Sequence, residues 1–145
     1  MIESFSEEIS KLMPEIMRSV HRKMEPLFEK GKVSFTHIIV MEFLAQAGSA
    51  KMSEVSKILS LNLSSATSII DKMVEMGFVK RTRSPKDRRV VLVELLKKGK
   101  TFALAIMGLR KEATQDMFSE LTNDEKNTYL KLIRKVHDNV CKKFI

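Results

Sequence analysis

Apolar residues recur at the three- and four-residue spacing of an α-helix over most of the chain. This spacing predicts a first helix over residues 4–30, in which Ser4 and Glu7 form a capping-box pattern. Pro14 is expected to kink that helix or to mark its effective start, and Gly31 is expected to close it. The same spacing predicts further helices over residues 34–47, 53–60, 64–76, 97–119 and from residue 122 onwards.

The pattern changes from helical to alternating between the fourth and the fifth predicted helix. Residues 79–83 alternate apolar and basic side chains, and residues 90–95 are rich in β-branched side chains. The turn-rich segment 84–89 between them predicts an antiparallel β-hairpin. The fold is therefore expected to be mainly α-helical with a small β-hairpin that follows four helices and precedes two more.

The formal net charge of +8 lies almost wholly in the middle third of the chain. Residues 51–100 contain 12 lysines and arginines and 5 acidic residues, so this segment carries +7 of the total. The other 95 residues carry +1. A merely basic surface is one explanation. Binding to a polyanion is the other, because each phosphate contact needs a cation and releases counterions.

The helices predicted over residues 53–60 and 64–76 are joined by three residues, a spacing typical of a helix-turn-helix. The second helix has one apolar face and an opposite face with small hydroxyl side chains near its N-terminus. Such side chains let a helix approach base edges and phosphates closely. An ordinary amphipathic surface helix has the same pattern, so this helix alone does not decide between the two. The candidate DNA contacts on it are Ser64, Ser65, Thr67, Ser68 and Lys72.

The predicted hairpin has one acidic residue, Asp87, among six basic residues between Val79 and Arg89. A loop this basic destabilises itself unless something neutralises it, although a solvated charged hairpin remains the alternative. Asp87 can hold an arginine two residues further on and so stiffen the tip, which could then push an arginine into a minor groove. The candidate DNA contacts in this loop are Arg81, Arg83, Lys86, Asp87, Arg88 and Arg89.

Residues 33–99 resemble the MarR family of winged helix-turn-helix regulators. The segment SPKDRRVVLVELLKKG is similar to the wing signature of that family, roughly D-P-x-D-R-R-x-x-x-V-x-L-T-x-x-G. The segment SEVSKILSLNLSSATSIIDKMVEMGFVKR resembles its helix-turn-helix. The resemblance implies a winged helix-turn-helix fold in which N- and C-terminal helices form a homodimer.

The resemblance also implies roles for individual residues. Ser64, Ser65, Thr67 and Ser68 would lie in the major groove of double-stranded DNA. Arg89 would enter the minor groove with Asp87 as its brace, and Arg88 would lie close to the DNA backbone. Residues 1–32 and 99–145 would form dimerisation segments around a DNA-binding lobe over residues 33–98, within one integrated domain.

Relatives of this kind usually repress palindromic operators and release them when a small, often phenolic, effector binds. The resemblance therefore implies an effector pocket, which Arg18, His21, His37 and Met41 could line, although these side chains could equally pack or be solvated. A winged-helix architectural or protein-interaction module without strong sequence preference is the alternative function. The sequence names neither the operator nor the effector, and it does not say whether Cys141 is redox-active.

Other classes of protein find little support in the sequence. The single cysteine excludes an internal disulfide, and its spacing from His21, His37 and His137 is not that of metal ligands. No catalytic or cofactor-binding motif occurs, so an enzyme, a metal and a cofactor are not expected. The acidic N-terminus and the lack of a long apolar run predict a cytoplasmic protein without a signal peptide or membrane span.

Overall fold

The computed structural model describes residues 4–144, and four of the helices in this part of the chain begin at polar side chains that cap them. The Ser4 hydroxyl accepts a hydrogen bond from the Glu7 backbone N–H, and the Glu7 carboxylate accepts one from the Ser4 N–H, which confirms the predicted capping box. Thr122 and Glu125 form the same arrangement at the last helix. In chain order the elements are α1 (Phe5–Gly31), α2 (Phe35–Ala47), β1 (Ser49–Lys51), α3 (Met52–Leu59), α4 (Leu63–Glu75), β2 (Val79–Arg83), β3 (Val91–Leu95), α5 (Lys97–Met117) and α6 (Asn123–Phe144).

Helix α1 ends at Gly31, as predicted, and the structure excludes one of the two alternatives given for Pro14. The helix begins at Phe5 and continues through Pro14, so Pro14 does not mark its start. The left-handed residue that ends it is Lys32, with φ of 51°, rather than Gly31. Gly31 is still helical, and a Cβ atom at this position would overlap the ring of Phe102 unless that ring moved.

The predicted hairpin is present and belongs to a larger sheet than the sequence indicated. Strands β2 and β3 pair antiparallel, with Arg81 opposite Val93. Strand β1 pairs antiparallel with the other edge of β3, where Ala50 lies opposite Val93, so the order is β1-β3-β2. Three residues between two helices are too few to show an alternating pattern, which is why the pattern did not reveal β1.

The chain divides into two compact units, one up to Arg110 and one from Lys111 onwards. In the first unit, side chains of α1, α2, α3, α4, the sheet and α5 form one core. Its fully buried members include Ile38, Met41, Leu44, Val55, Ile70, Met73, Phe78, Val93 and Ile106. The predicted boundaries after residues 32 and 98 stay a prediction, and residues 1–3 and 145 of the predicted dimerisation segments lie outside the described residues.

Several helices carry exposed apolar side chains in a regular stripe. On α1 these side chains follow helical spacing along one face: Phe5, Ile9, Leu12, Met13, Ile16 and Met17. On α6, within the second unit, the corresponding stripe is Tyr129, Leu132, Val136 and Val140. Among the described residues, no helix is both long enough and apolar enough to cross a membrane.

Candidate nucleic-acid interface

Helix α4 is anchored by one face and presents the other to solvent. Ala66, Ile70 and Met73 are fully buried in the core, as the helical pattern predicted. The predicted contact residues Ser64, Ser65, Ser68 and Lys72 are exposed, and Thr67 is partly exposed. All five therefore lie on the accessible part of one helix.

The helix begins one residue earlier than predicted, with Asn62 as its N-cap. The Asn62 side-chain oxygen accepts a hydrogen bond from the backbone N–H of Ser65 at 2.8 Å. Ser64 and Ser65 therefore occupy the first turn, where the positive end of the helix dipole favours an anion. The turn before the helix is fixed by Ser56, whose hydroxyl donates to the Leu61 carbonyl at 2.8 Å.

Two hydroxyls of α4 donate their protons to their own helix. The Thr67 hydroxyl donates to the Leu63 carbonyl at 2.7 Å, and the Ser68 hydroxyl donates to the Ser64 carbonyl at 3.2 Å. The lone pairs of these oxygen atoms stay available to an external donor. In this arrangement the face offers acceptors, which match the amino groups of adenine and cytosine in the major groove.

The hairpin loop is braced by Asp87. Its carboxylate accepts hydrogen bonds from the Arg89 backbone N–H at 3.0 Å, from Nε at 3.2 Å and from a terminal guanidinium nitrogen at 3.3 Å. These bonds hold the pKa of Asp87 below its ordinary value, so the carboxylate is charged at neutral pH. The Arg89 side chain remains 91% exposed, and the structure thus combines a fixed arginine with free access to it.

The remaining basic side chains of the hairpin differ in their partners. Arg83 donates to the Arg88 carbonyl at 3.0 Å across the loop, while Lys86 and Arg88 are exposed. Arg81 turns back to α4, where its guanidinium lies 2.6 Å from the Asp71 carboxylate. The sequence did not indicate this pair, because Arg81 and Asp71 belong to different elements whose packing no local pattern describes.

Lys98 is a further residue that the sequence analysis missed. Its ammonium group donates to the Met76 carbonyl at 2.7 Å, just beyond the end of α4, and lies 4.7 Å from the centre of the Phe78 ring. A cation at a helix C-terminus stabilises the negative end of the helix dipole. Lys98 therefore ties the start of α5 to the end of α4.

The four residues predicted to line an effector pocket lie at three places in the described part of the chain, and their role stays a prediction. Arg18 and His21 line an open cavity of about 580 Å³ beside Phe35. His37 lines a different cavity, and Met41 is fully buried in the core. The 970 Å³ cavity of the first unit lies elsewhere, between the end of α1, the end of α4 and the start of α5. Its lining includes Leu27, Lys30, Met76, Phe78, Lys97, Phe102 and Ala105.

Comparison with known proteins identifies a matching family model and similar chains. A family model described as "MarR family" matches residues 33–91. The chain is 26% identical over 136 residues to the uncharacterised HTH-type transcriptional regulator YsmB of Bacillus subtilis strain 168, which spans 94% of this chain and 93% of that protein.

Solved structures give the same fold. A MarR family protein from Bacillus stearothermophilus superposes with a TM-score of 0.82 at 21% identity, over 97% of this chain and 99% of that chain. A mutant MarR from Escherichia coli in complex with operator DNA superposes with a TM-score of 0.68 at 26% identity, over 92% and 98% of the two chains. The winged helix-turn-helix fold predicted from the sequence is confirmed.

Proposed function

The chain belongs to the MarR family of helix-turn-helix transcriptional regulators, and we propose that it binds palindromic operators as a homodimer and represses the genes they control. The observation that carries this proposal is the exposed Arg89 side chain, which Asp87 braces in the same unit as the hydroxyl-bearing face of α4. This pairing of a helix for the major groove with a stiff cationic tip for the minor groove serves binding to duplex DNA.

The outward face of α4 supplies sequence readout in this proposal. Small hydroxyls at Ser64 and Thr67 allow the helix to enter the major groove until their oxygen atoms reach base edges. Each well-placed contact of this kind contributes about 1–3 kcal/mol of discrimination between bases. Lys72, one turn beyond Ser68, supplies positive charge toward the phosphate backbone.

The wing supplies a second, less sequence-dependent contact. The planar guanidinium of Arg89 fits a narrow minor groove, whose negative potential is strongest in A·T-rich DNA. Because Asp87 already restricts the Arg89 side chain, insertion orders fewer rotatable bonds than it would for a free arginine. Lys86 and Arg88 lie exposed on the same loop and are proposed to contact phosphates.

The exposed apolar stripes on α1 and α6 support a homodimer. A stripe that includes Phe5, Leu12 and Met17 on α1 would stay in water in an isolated chain, where Phe5 is 80% exposed and Met17 is 61% exposed. A two-fold dimer presents the same face twice and can bury it, and it places two DNA-binding lobes on two half-sites about one helical turn apart.

We further propose that a small effector of phenolic type binds in the 970 Å³ cavity and thereby causes the protein to release DNA. Its walls are apolar at Leu27, Phe78 and Phe102, and lysines at its rim suit a negatively charged ring substituent. Lys72 of α4 and Met76, which follows the end of α4, belong to the lining, so an occupant would press on the helix proposed to read DNA. Arg18 and His21 remain the second candidate location, as the sequence indicated.

The proposal is tested by DNA selection with the purified protein, followed by affinity measurements on the selected duplex and a scrambled version of it. We expect the selected sequence to be a palindrome. At physiological salt the affinity for the selected duplex should be roughly a thousandfold or more above that for the scrambled duplex. Equal affinities would contradict a specific regulator and favour the architectural module. Salicylate can serve as the phenolic probe, with Ala105→Trp as a variant that fills the cavity and should abolish any release.

A further inference from the structure

A second concave surface lies between the start of α2 and the exposed edge of α4, and we call it the α2–α4 cavity. Its volume is about 470 Å³. It is lined by Lys32, Val33, Ser34, His37, Ser68, Ile69 and Lys72. None of these lining residues of the described chain is acidic, and the polar side chains among them are ammonium groups, hydroxyls and one imidazole. The surface therefore presents positive charge and hydrogen-bond donors to whatever enters it.

His37 is the buried member of this set, with 5% of its surface exposed. Its Nδ1 accepts a hydrogen bond from the Ser34 backbone N–H at 3.1 Å, so Nδ1 carries no proton and the neutral ring carries its proton on Nε2. Within the described part of the chain, the Nε2–H group has no hydrogen-bond partner. His37 lines the α2–α4 cavity, so this group can donate a hydrogen bond to a ligand that enters it.

Two lysines bring positive charge to the same place from different elements. Lys32 follows α1, and Lys72 belongs to the exposed face of α4. Neither ammonium group has an ion pair within residues 4–144. Lys72 is near enough to His37 that its charge, after burial, lowers the pKa of the imidazole, which keeps the ring neutral. The charge of the cavity is thus uncompensated in the protein alone.

We propose that the α2–α4 cavity holds one phosphate of the DNA backbone, through Lys32, the Nε2–H group of His37 and Lys72. A phosphodiester is the fitting occupant because it is a compact anion with several acceptor oxygen atoms and no donor. The duplex is its source because Ser68 and Lys72 continue the α4 face that begins at Ser64, and a helix in the major groove is flanked by phosphates on each side. This inference rests on the proposed DNA-binding function.

Two variants separate the charge of the cavity from the imidazole donor of His37. Lys32→Gly removes the ammonium group and suits the left-handed backbone at that position. His37→Asn keeps an acceptor for the Ser34 N–H near the Nδ1 position and removes the Nε2–H group. Lys126→Ala, on exposed α6 in the second unit, is the matched control for the loss of one lysine. Circular dichroism and size-exclusion chromatography check that all three variants fold and assemble like the wild type.

The first measurement is the salt dependence of the dissociation constant for the selected duplex. Lys32→Gly should lower the slope of log K against log salt by about 1.8 for a dimer, that is, about 0.9 for each lost phosphate contact. His37→Asn should weaken binding about tenfold or more with little change in slope, because the lost donor is neutral. Lys126→Ala should change neither quantity. Slopes and affinities equal to wild type in both cavity variants would overturn the inference.

The second measurement replaces single phosphates of the duplex by uncharged methylphosphonates. One symmetry-related pair of replacements should weaken the wild type clearly more than Lys32→Gly, which has already lost one of the three contacts, while other positions should affect both proteins equally. If every position affects both proteins equally, the cavity does not bind the backbone. These outcomes concern only the cavity, since wild-type binding to the unmodified duplex has already tested the proposed function.

A free anion is the other possible source of the phosphate group. Titration with inorganic phosphate, followed by the amide resonances of Lys32, Ser34 and His37, tests it without DNA. Weak or no binding, together with the changes in DNA affinity above, supports the backbone phosphate. A different outcome would assign the cavity to a free anion and overturn the proposed DNA contact. In that outcome the wild type binds inorganic phosphate at millimolar concentration, Lys32→Gly does not, and the salt slope for DNA is the same in both proteins.

Discussion

The guanidinium of Arg81 on β2 lies 2.6 Å from the carboxylate of Asp71 on α4, so this ion pair joins the first strand of the hairpin to α4. The two side chains are 33% and 55% exposed, so solvent screens their attraction. The pair therefore contributes more to the orientation of β2 relative to α4 than to the stability of the fold. It also neutralises a cation that the sequence alone assigned to DNA.

The first prediction concerns the size of this interaction. A double-mutant cycle of Arg81→Ala and Asp71→Ala, measured by urea unfolding, should give a coupling of about 0.2–1 kcal/mol. The coupling should fall in 1 M salt, because ions screen partly exposed charges. Arg81→Ala should also reduce DNA affinity less than Arg89→Ala does, and the reverse order would mean that Arg81 leaves Asp71 to contact DNA.

Arg89→Ala is predicted to weaken DNA binding by about 1–3 kcal/mol per half-site and to leave the dimer intact. Arg89→Lys should restore little of this loss, because an ammonium group cannot reproduce the two side-chain bonds to Asp87 or the flat shape that fits a minor groove. Electrophoretic mobility shifts measure the affinity, and size-exclusion chromatography measures the assembly. Wild-type affinity in Arg89→Ala would refute the assignment of the wing.

Asp87→Ala isolates the brace from the cation that it holds. The variant loses one negative charge, so a simple charge effect would strengthen binding to DNA. We expect weaker binding to the selected duplex instead, because Arg89 becomes free to adopt other rotamers and must be ordered on insertion. Comparison with a scrambled duplex separates the two effects, since the charge acts on both sequences. An affinity gain for both duplexes would show that the brace has no role in recognition.

Local patterns predicted most of the elements and the wing brace, because both depend on neighbouring residues. The helical spacing around Ile70 and Met73 and the two-residue step from Asp87 to Arg89 involve contacts within a few positions. Strand β1 is different, because it exists only through its pairing with β3. The sequence could not show it until the two segments were placed side by side.

Contacts between distant elements explain the rest of what the sequence did not reveal. Met41 has the helical spacing of a core residue, and nothing local distinguishes such a position from the wall of a pocket. Lys98 carries no signal for its bond to Met76, which is 22 positions away. The cavities near α4 are assembled from three or four segments, and so their lining depends on packing that periodicity does not encode.

His37 should make the folding stability depend on pH below neutrality. Burial first, and then the charge of Lys72, lower its pKa from the ordinary value of 6.5, so the unfolded chain takes up this proton more readily than the folded one. The free energy of unfolding should therefore fall as the pH drops below about 6.5, and the fall should end once the lowered pKa has been passed. Above that pH range His37 is neutral in the folded and the unfolded chain, so it does not make the free energy of unfolding depend on pH.

Urea unfolding of the wild type and His37→Asn at pH 7.5 and below provides the measurement. The variant should lose less stability than the wild type over the acidic range, because it lacks the imidazole whose pKa is lowered in the folded state. Lys32 and Lys72 are the charged residues that line the cavity together with His37. Parallel pH profiles for the two proteins would contradict a buried neutral imidazole at this position.

Gly99→Ala is predicted to destabilise the fold by about 1–3 kcal/mol, because a Cβ atom at this buried position of α5 would overlap the Phe78 carbonyl oxygen. That oxygen cannot move freely, since it accepts the hydrogen bond from the Leu96 N–H at 2.9 Å that connects the sheet to α5. Gly108→Ala on the same helix is the matched control. Nothing lies within 4 Å of its added Cβ, so it should stabilise the helix by up to about 1 kcal/mol. Urea midpoints that shift in opposite directions would verify the close approach of α5 to Phe78, and a Gly99→Ala variant as stable as wild type would disprove it.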